Sequence, residues 1–79
     1  MMKPVVTEKA VMLIEAQNSL TFKTDKKEGK EDIKKQVEDL FDVKVENVRT
    51  LIRGNKKYAY VKLKKDFLAI DVATKLGII

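Results

Sequence analysis

Val48-Arg49-Thr50-Leu51-Ile52-Arg53-Gly54-Asn55-Lys56-Lys57-Tyr58-Ala59-Tyr60-Val61-Lys62-Leu63-Lys64 is the stretch that decides the fold. Its second half alternates strictly from Tyr58 to Lys64. Ala59, Val61 and Leu63 take one face, while Tyr58, Tyr60, Lys62 and Lys64 take the other. Its first half is rich in β-favouring residues, so a strand is expected within Val43 to Arg53. Gly54-Asn55 between them, with Gly first, fits a two-residue hairpin turn.

Helical patterns flank this hairpin. Ile33, Val37, Leu40 and Phe41 fall at i, i+4, i+7 and i+8, which predicts a helix from Lys30 to Phe41 with Gly29 as its N-cap. Thr7 is placed to cap a helix over Glu8 to Ala16, and Val5-Val6 before it is expected as a short strand. Leu20 to Thr24 alternates, with Leu20 and Phe22 facing inward. Asp66 is expected to cap a last helix carrying Leu68, Ala69, Ile70, Ala73 and Leu76, stopped by Gly77. The order (β)αβαββα predicts an α+β fold, a small two- or three-layer sandwich on a mainly antiparallel sheet. With 79 residues, the chain reads as a single domain over residues 1–79.

Composition narrows the chemistry. The chain has neither Cys nor His, so the thiolate nucleophile, the commonest general base and the commonest zinc ligand are all missing. The acid pairs Asp25/Glu28 and Glu38/Asp39 have no partner base, phosphate cradle or metal-ligand spacing beside them, and they read as surface acids. A non-enzyme without cofactor is the expectation. No apolar run reaches the ~18 residues of a membrane span, and the first residues lack a secretory pattern, so a cytoplasmic location without membrane insertion is expected.

The charge is unevenly placed. Lys and Arg number 17 against 12 acids, yet from Arg49 to Lys65 there are seven basic residues and no acid. The rest of the chain is slightly acidic, so the whole excess comes from one segment. A segment of this kind reads as a footprint for a polyanion. Arg49, Arg53, Lys56, Lys57, Lys62 and Lys64 would neutralise phosphate, and Tyr58 and Tyr60 would stack or pack on ribose. A solvated sheet face with two β-favouring tyrosines is the competing reading. Lys26, Lys27 and Lys30 form a second, diluted cluster, and Lys9 a further candidate. Thr7-Glu8-Lys9 reads physically as a helix start. Two other function classes stay open from the residues alone. One is a free-standing protein-interaction module with an incidental basic face. The other is a small phosphate-ester or acylphosphate hydrolase resting on Asn47, Asn55 and Arg53.

Several motifs, in order, resemble one family. Lys3-Pro4-Val5-Val6-Thr7-Glu8-Lys9-Ala10, Asn18 to Lys23, the helix form Ile-Lys-Lys-x-Val-Glu-x-Leu-Phe within 33–41, Val43-Lys44-Val45, Val48-x-Thr50-Leu51 and Tyr60-Val61-Lys62-Leu63 are similar to the universal large-subunit ribosomal protein twenty-three. The ending, with Leu76-Gly77-Ile78-Ile79, looks archaeal. The chain departs from the pattern at Asp42, where the family often has Gly, at Arg49, where Asn is usual, and at Tyr58, which separates the basic pair from Ala59. Bacterial members carry a long hairpin loop into the exit tunnel, which Gly54-Asn55 replaces here. The resemblance implies binding to the third domain of large-subunit rRNA at the tunnel rim, beside ribosomal protein twenty-nine. It also implies a docking platform for signal recognition particle, the protein-conducting channel and nascent-chain chaperones. The family's chaperone-docking carboxylate maps to Glu8. Replacing Lys56 and Lys57 together by Glu is expected to weaken rRNA binding while the domain stays folded, as measured by filter binding and circular dichroism.

Overall fold

The computed structural model describes residues 3–77. Along the chain run β1 (Lys3–Pro4), α1 (Glu8–Gln17), β2 (Ser19–Thr24), α2 (Lys30–Phe41), β3 (Val45–Arg53), β4 (Lys56–Leu63) and α3 (Ala69–Leu76). The four strands form one antiparallel sheet in the order β1-β2-β4-β3. This is the expected α+β fold, with three helices and a four-strand antiparallel sheet. β4 lies in the interior of the sheet, hydrogen-bonded to β2 on one side and β3 on the other.

The hairpin forms as its sequence requires. Gly54 has φ 59°, a left-handed value that glycine adopts without strain, and its place at the first turn position fits a type II′ connection. The outcome is an in-register ladder from Arg53↔Lys56 to Val48↔Val61. Between Val45 and Asn47 the register shifts, with Glu46 as the extra residue of a bulge.

One sheet face carries the core. Leu20, Phe22, Ala59, Val61, Leu63 and Val45 are buried there against Ile33 and Val37 of α2 and Ala69, Val72 and Ala73 of α3. Phe41 stacks on Phe22 with ring centroids 6.3 Å apart. Each such side chain contributes roughly 1.5–3 kcal/mol when removed from water. The start of α2 uses backbone and carboxylate: the Gly29 N–H donates to Asp32 at 3.4 Å. Its end is Asp42 at φ 54°, a left-handed position that Asp tolerates better than most residues with a Cβ. Glu38 is no idle surface acid. It is half-buried and accepts the Val45 N–H at 3.0 Å, holding the entry into β3.

Three expectations are corrected. β1 is Lys3–Pro4 and not Val5–Val6, although the Val5 N–H still donates to the Thr21 carbonyl at 3.0 Å. Pro4 suits this place because an edge strand leaves one side of the backbone without a ladder partner. Asp66 does not cap the last helix, which begins at Ala69 after a turn closed by Phe67 N–H to the Lys64 carbonyl at 2.9 Å. Leu68 and Ile70 are exposed, and Val72 is the residue that joins the core.

The cap of α3 comes from 51 residues away. Asn18 Oδ1 accepts the Ala69 N–H at 2.6 Å, and Asn18 Nδ2 donates to the carbonyls of Phe67 at 2.8 Å and Leu63 at 3.3 Å. The same residue ends α1 in a left-handed conformation, φ 52°, with its N–H bonded to the Leu13 carbonyl. Its own carbonyl accepts the Leu63 N–H at 3.1 Å. Asn tolerates this backbone conformation far better than most residues with a Cβ. Asn18→Ala should therefore destabilise the domain by about 2–4 kcal/mol, since it leaves several inward-facing backbone groups unpaired. Asn18→Gly, which relieves only the backbone, should recover a minor part. Urea unfolding of the two variants measures both.

Candidate nucleic-acid interface

Directly paired residues on antiparallel strands share a face. The register therefore places the side chains opposite the core in rows. Lys3, Lys23, Tyr58 and Leu51 form one row; Thr21, Tyr60 and Arg49 the next; Ser19, Lys62 and Asn47 a third. Arg53 and Lys56 face each other beside the hairpin turn. Six strand cations thus share one face with both tyrosines. Among the strands the only acid is Glu46, at the bulge; the other eleven acids lie on helices and connections. A two-residue sheet period therefore gathers the positive excess on one face, while cations and acids nearly balance elsewhere.

α1 bounds this face on the β2 side. Ile14 of the helix turns into the core, while Lys9, Ala10 and Leu13 line a groove with Thr21, Tyr58 and Tyr60. A second groove runs on from Lys9 and Leu13 to Arg49, Tyr60 and Lys62. The floor is aromatic and apolar, the rim is cationic, and no acid lines either groove. Tyr58 and Tyr60 are half-buried here, so their rings are held in place while part of each remains accessible.

The expected residues are not all brought together. Arg49, Arg53, Lys56, Tyr58, Tyr60 and Lys62 share the face, and Lys9 reaches it from α1. Lys64 is exposed one residue past β4. Lys57 is on the other side. Its register partners are Thr24 and Ile52, and its ammonium donates to the Glu28 carbonyl, tying the 25–29 turn to the sheet. Lys26, Lys27 and Lys30 are exposed on that turn and at the start of α2, apart from the rows. Glu8 is exposed at the first position of α1, with Thr7 Oγ1 accepting the Ala10 N–H at 3.1 Å. Lys3, Lys23, Leu13 and Thr21 were missed. The alternation around Leu20 and Phe22 already assigned Thr21 and Lys23 to the opposite face, but only the strand order shows that this face is continuous with the hairpin's.

The hydrolase reading fails on geometry. Asn55 lies in the hairpin turn, while Asn47 lies at the far end of β3, eight residues and roughly 25 Å along an extended strand. No single anion can meet both.

Placement separates the roles of two lysines. Lys57→Glu should lower stability by about 1–2 kcal/mol, through loss of a charge-assisted bond to a partly buried carbonyl, and barely change RNA affinity. Lys62→Glu should do the reverse. Thermal melts and RNA titrations on both variants check the split, and the Lys56/Lys57 double substitution would mix the two effects.

The match of a known family covers most of this architecture. The model of ribosomal protein L23 matches residues 1–67, which takes in β1 through β4 and leaves α3 beyond the matched span. Its members are structural proteins of the large ribosomal subunit and not enzymes. The matched span is well over half of the sequence, and this chain belongs to the ribosomal protein L23 family.

Proposed function

We propose that the chain is a single rRNA-binding domain, residues 1–79, of the large ribosomal subunit in the cytoplasm, and that its open sheet face is the RNA-binding surface. The observation that carries this is the gathering of Lys3, Lys23, Arg49, Arg53, Lys56 and Lys62 with both tyrosines on one acid-poor face. Phosphate and ribose contacts dominate on such a surface, so RNA shape sets most of the affinity. The resemblance supports the third domain of large-subunit rRNA at the exit-tunnel rim as the target. The two-residue hairpin turn supports an archaeal-type member, in which this loop adds nothing to the tunnel lining. The ending that also points there includes Ile78 and Ile79, which lie outside the described residues.

The docking role has its own support. Glu8 and Met12 lie one turn apart on α1, both exposed, with exposed Val6 just before the helix. None of the three lines the basic grooves. A carboxylate beside apolar side chains, off the RNA face, offers factors a contact that RNA binding leaves uncovered. Signal recognition particle, the protein-conducting channel and nascent-chain chaperones are the partners we assign to it. Exposed Leu40, Leu68 and Ile70 on the helix side are apolar surface for a ribosomal neighbour such as ribosomal protein twenty-nine.

Polysome profiling tests the assignment. Nearly all the protein should travel in the large-subunit peak, and a double Arg49→Glu, Lys62→Glu variant should be depleted from it. For the isolated chain, about six phosphate contacts predict that affinity for an rRNA fragment falls about 10³-fold between roughly 50 and 200 mM salt. A salt-independent affinity, or a protein absent from the large-subunit peak, would remove the reading.

A further inference from the structure

The sheet has two edges, and they are built differently. β1 is two residues long and contains Pro4, which has no N–H to offer. β3 is nine residues long and contains no Pro, and its bulge at Glu46 disturbs only one end. Short edge strands, prolines and bulges keep a sheet from pairing with another chain, and from Asn47 to Arg53 the edge has none of them. The register shows which backbone groups are open. A two-residue hairpin turn makes Arg53↔Lys56 a hydrogen-bonded pair, and bonded and non-bonded pairs then alternate along the ladder. Asn47, Arg49, Leu51 and Arg53 therefore direct their N–H and C=O groups to β4, while Val48, Thr50 and Ile52 direct theirs away from the sheet. The Leu63 N–H obeys the same parity, turning to the other side of β4 to donate to the Asn18 carbonyl. At the bulged end the Val45 N–H is taken by Glu38. The outward groups of Val48, Thr50 and Ile52 have no hydrogen bond to any described residue. Their side chains are all β-branched, and Ile52 is 59% exposed.

We propose that the β3 edge takes one further strand, an extended segment of a partner protein laid antiparallel to Val48–Arg53. Val48, Thr50 and Ile52 each offer it one backbone donor and one acceptor. Residues directly opposite share a face, so a fitting segment carries β-branched residues opposite these three and acids opposite Arg49 and Arg53. Charge decides against a second copy of this chain as the occupant. The pairing that uses all three outward residues sets Thr50 opposite Thr50. It brings Arg49 of one copy diagonally beside Arg49 and Arg53 of the other, and it merges two basic faces into one. Strand addition does not depend on RNA binding, because its hydrogen bonds form at the edge of the sheet and not on its face.

The test uses the full chain, isotope-labelled for amide exchange, and a synthetic peptide alternating Glu with Val. A scrambled peptide of the same composition and one N-methylated on its valines are the controls. At about ten times its Kd, the alternating peptide should slow exchange at Val48, Thr50 and Ile52 about tenfold. Arg49 and Leu51, already bonded to β4, should not change. Neither control should protect the three outward amides. Thr50→Pro removes one outward N–H without touching the ladder to β4, and an edge strand tolerates Pro at such a place. The variant should keep its circular dichroism and bind the peptide about tenfold more weakly. Should it not fold, the N-methylated peptide decides the matter on the unaltered chain. If either control binds as well as the alternating peptide, acids are merely attracted to the basic face and the edge site is refuted. If the three amides become protected with rising protein concentration and no peptide, the occupant is a second copy and the proposal is overturned. Protection by an rRNA fragment and by no peptide overturns it equally, while leaving the RNA-binding face in place.

Discussion

Asn18 is the constraint on which the arrangement depends. One side chain and one peptide unit end α1, open β2, receive the last ladder bond of β4 and start α3. Four elements from opposite ends of the chain therefore meet at a single residue whose backbone is in a left-handed conformation. Hydrophobic burial would bring the helices to the sheet without it, but burial is non-directional. The angle at which α1 leaves β2 decides whether Lys9 and Leu13 overhang the open face or turn away from it. A polar residue at the hinge supplies that direction, and so the site on one side of the sheet depends on a bond network at its end.

The sheet converts a local rule into a cationic surface. Alternation within β4 separates Ala59, Val61 and Leu63 from Tyr58, Tyr60 and Lys62. Pairing with β2 and β3 then aligns each outward residue with partners that are far away in the chain, so Tyr60 lies between Thr21 and Arg49. A one-residue slip would move every one of these groups to the core face. The core therefore guards the register of the interface: burying Phe22, Val61 and Leu63 is what holds the cations opposite them in rows.

What was legible in the sequence followed from local chemistry. The 3.6-residue period placed α2 at Lys30–Phe41, Gly54 marked the turn, and Thr7 marked the start of α1. What was not legible depended on pairing. Asp66 looked like a cap because only nearby residues were in view, whereas Asn18 performs that role from across the fold. Lys57 looked like an interface cation because it sits inside the basic run, yet strand parity alone assigns it to the face opposite Tyr58. Thr21 and Ser19 alternate with the inward-facing Leu20 and Phe22, yet they too are buried, on the side where α1 packs beside β2. Charge counting pointed to the basic segment, and the strand order β1-β2-β4-β3 was needed to show that Lys3 and Lys23 share its face.

The rows also carry an electrostatic argument for a partner. Lys3 lies directly opposite Lys23, and Arg53 directly opposite Lys56. Like charges in such positions oppose strand pairing, and a domain of this size has little stability to spare. No acid stands at any of these four positions, and both tyrosines lie on the same face. A polyanionic ligand would relieve this repulsion, because its phosphates would neutralise the rows and its sugars would cover the half-buried rings. The rows are thus least favourable in the free chain where a polyanion would satisfy them best, and this supports the proposed RNA-binding face.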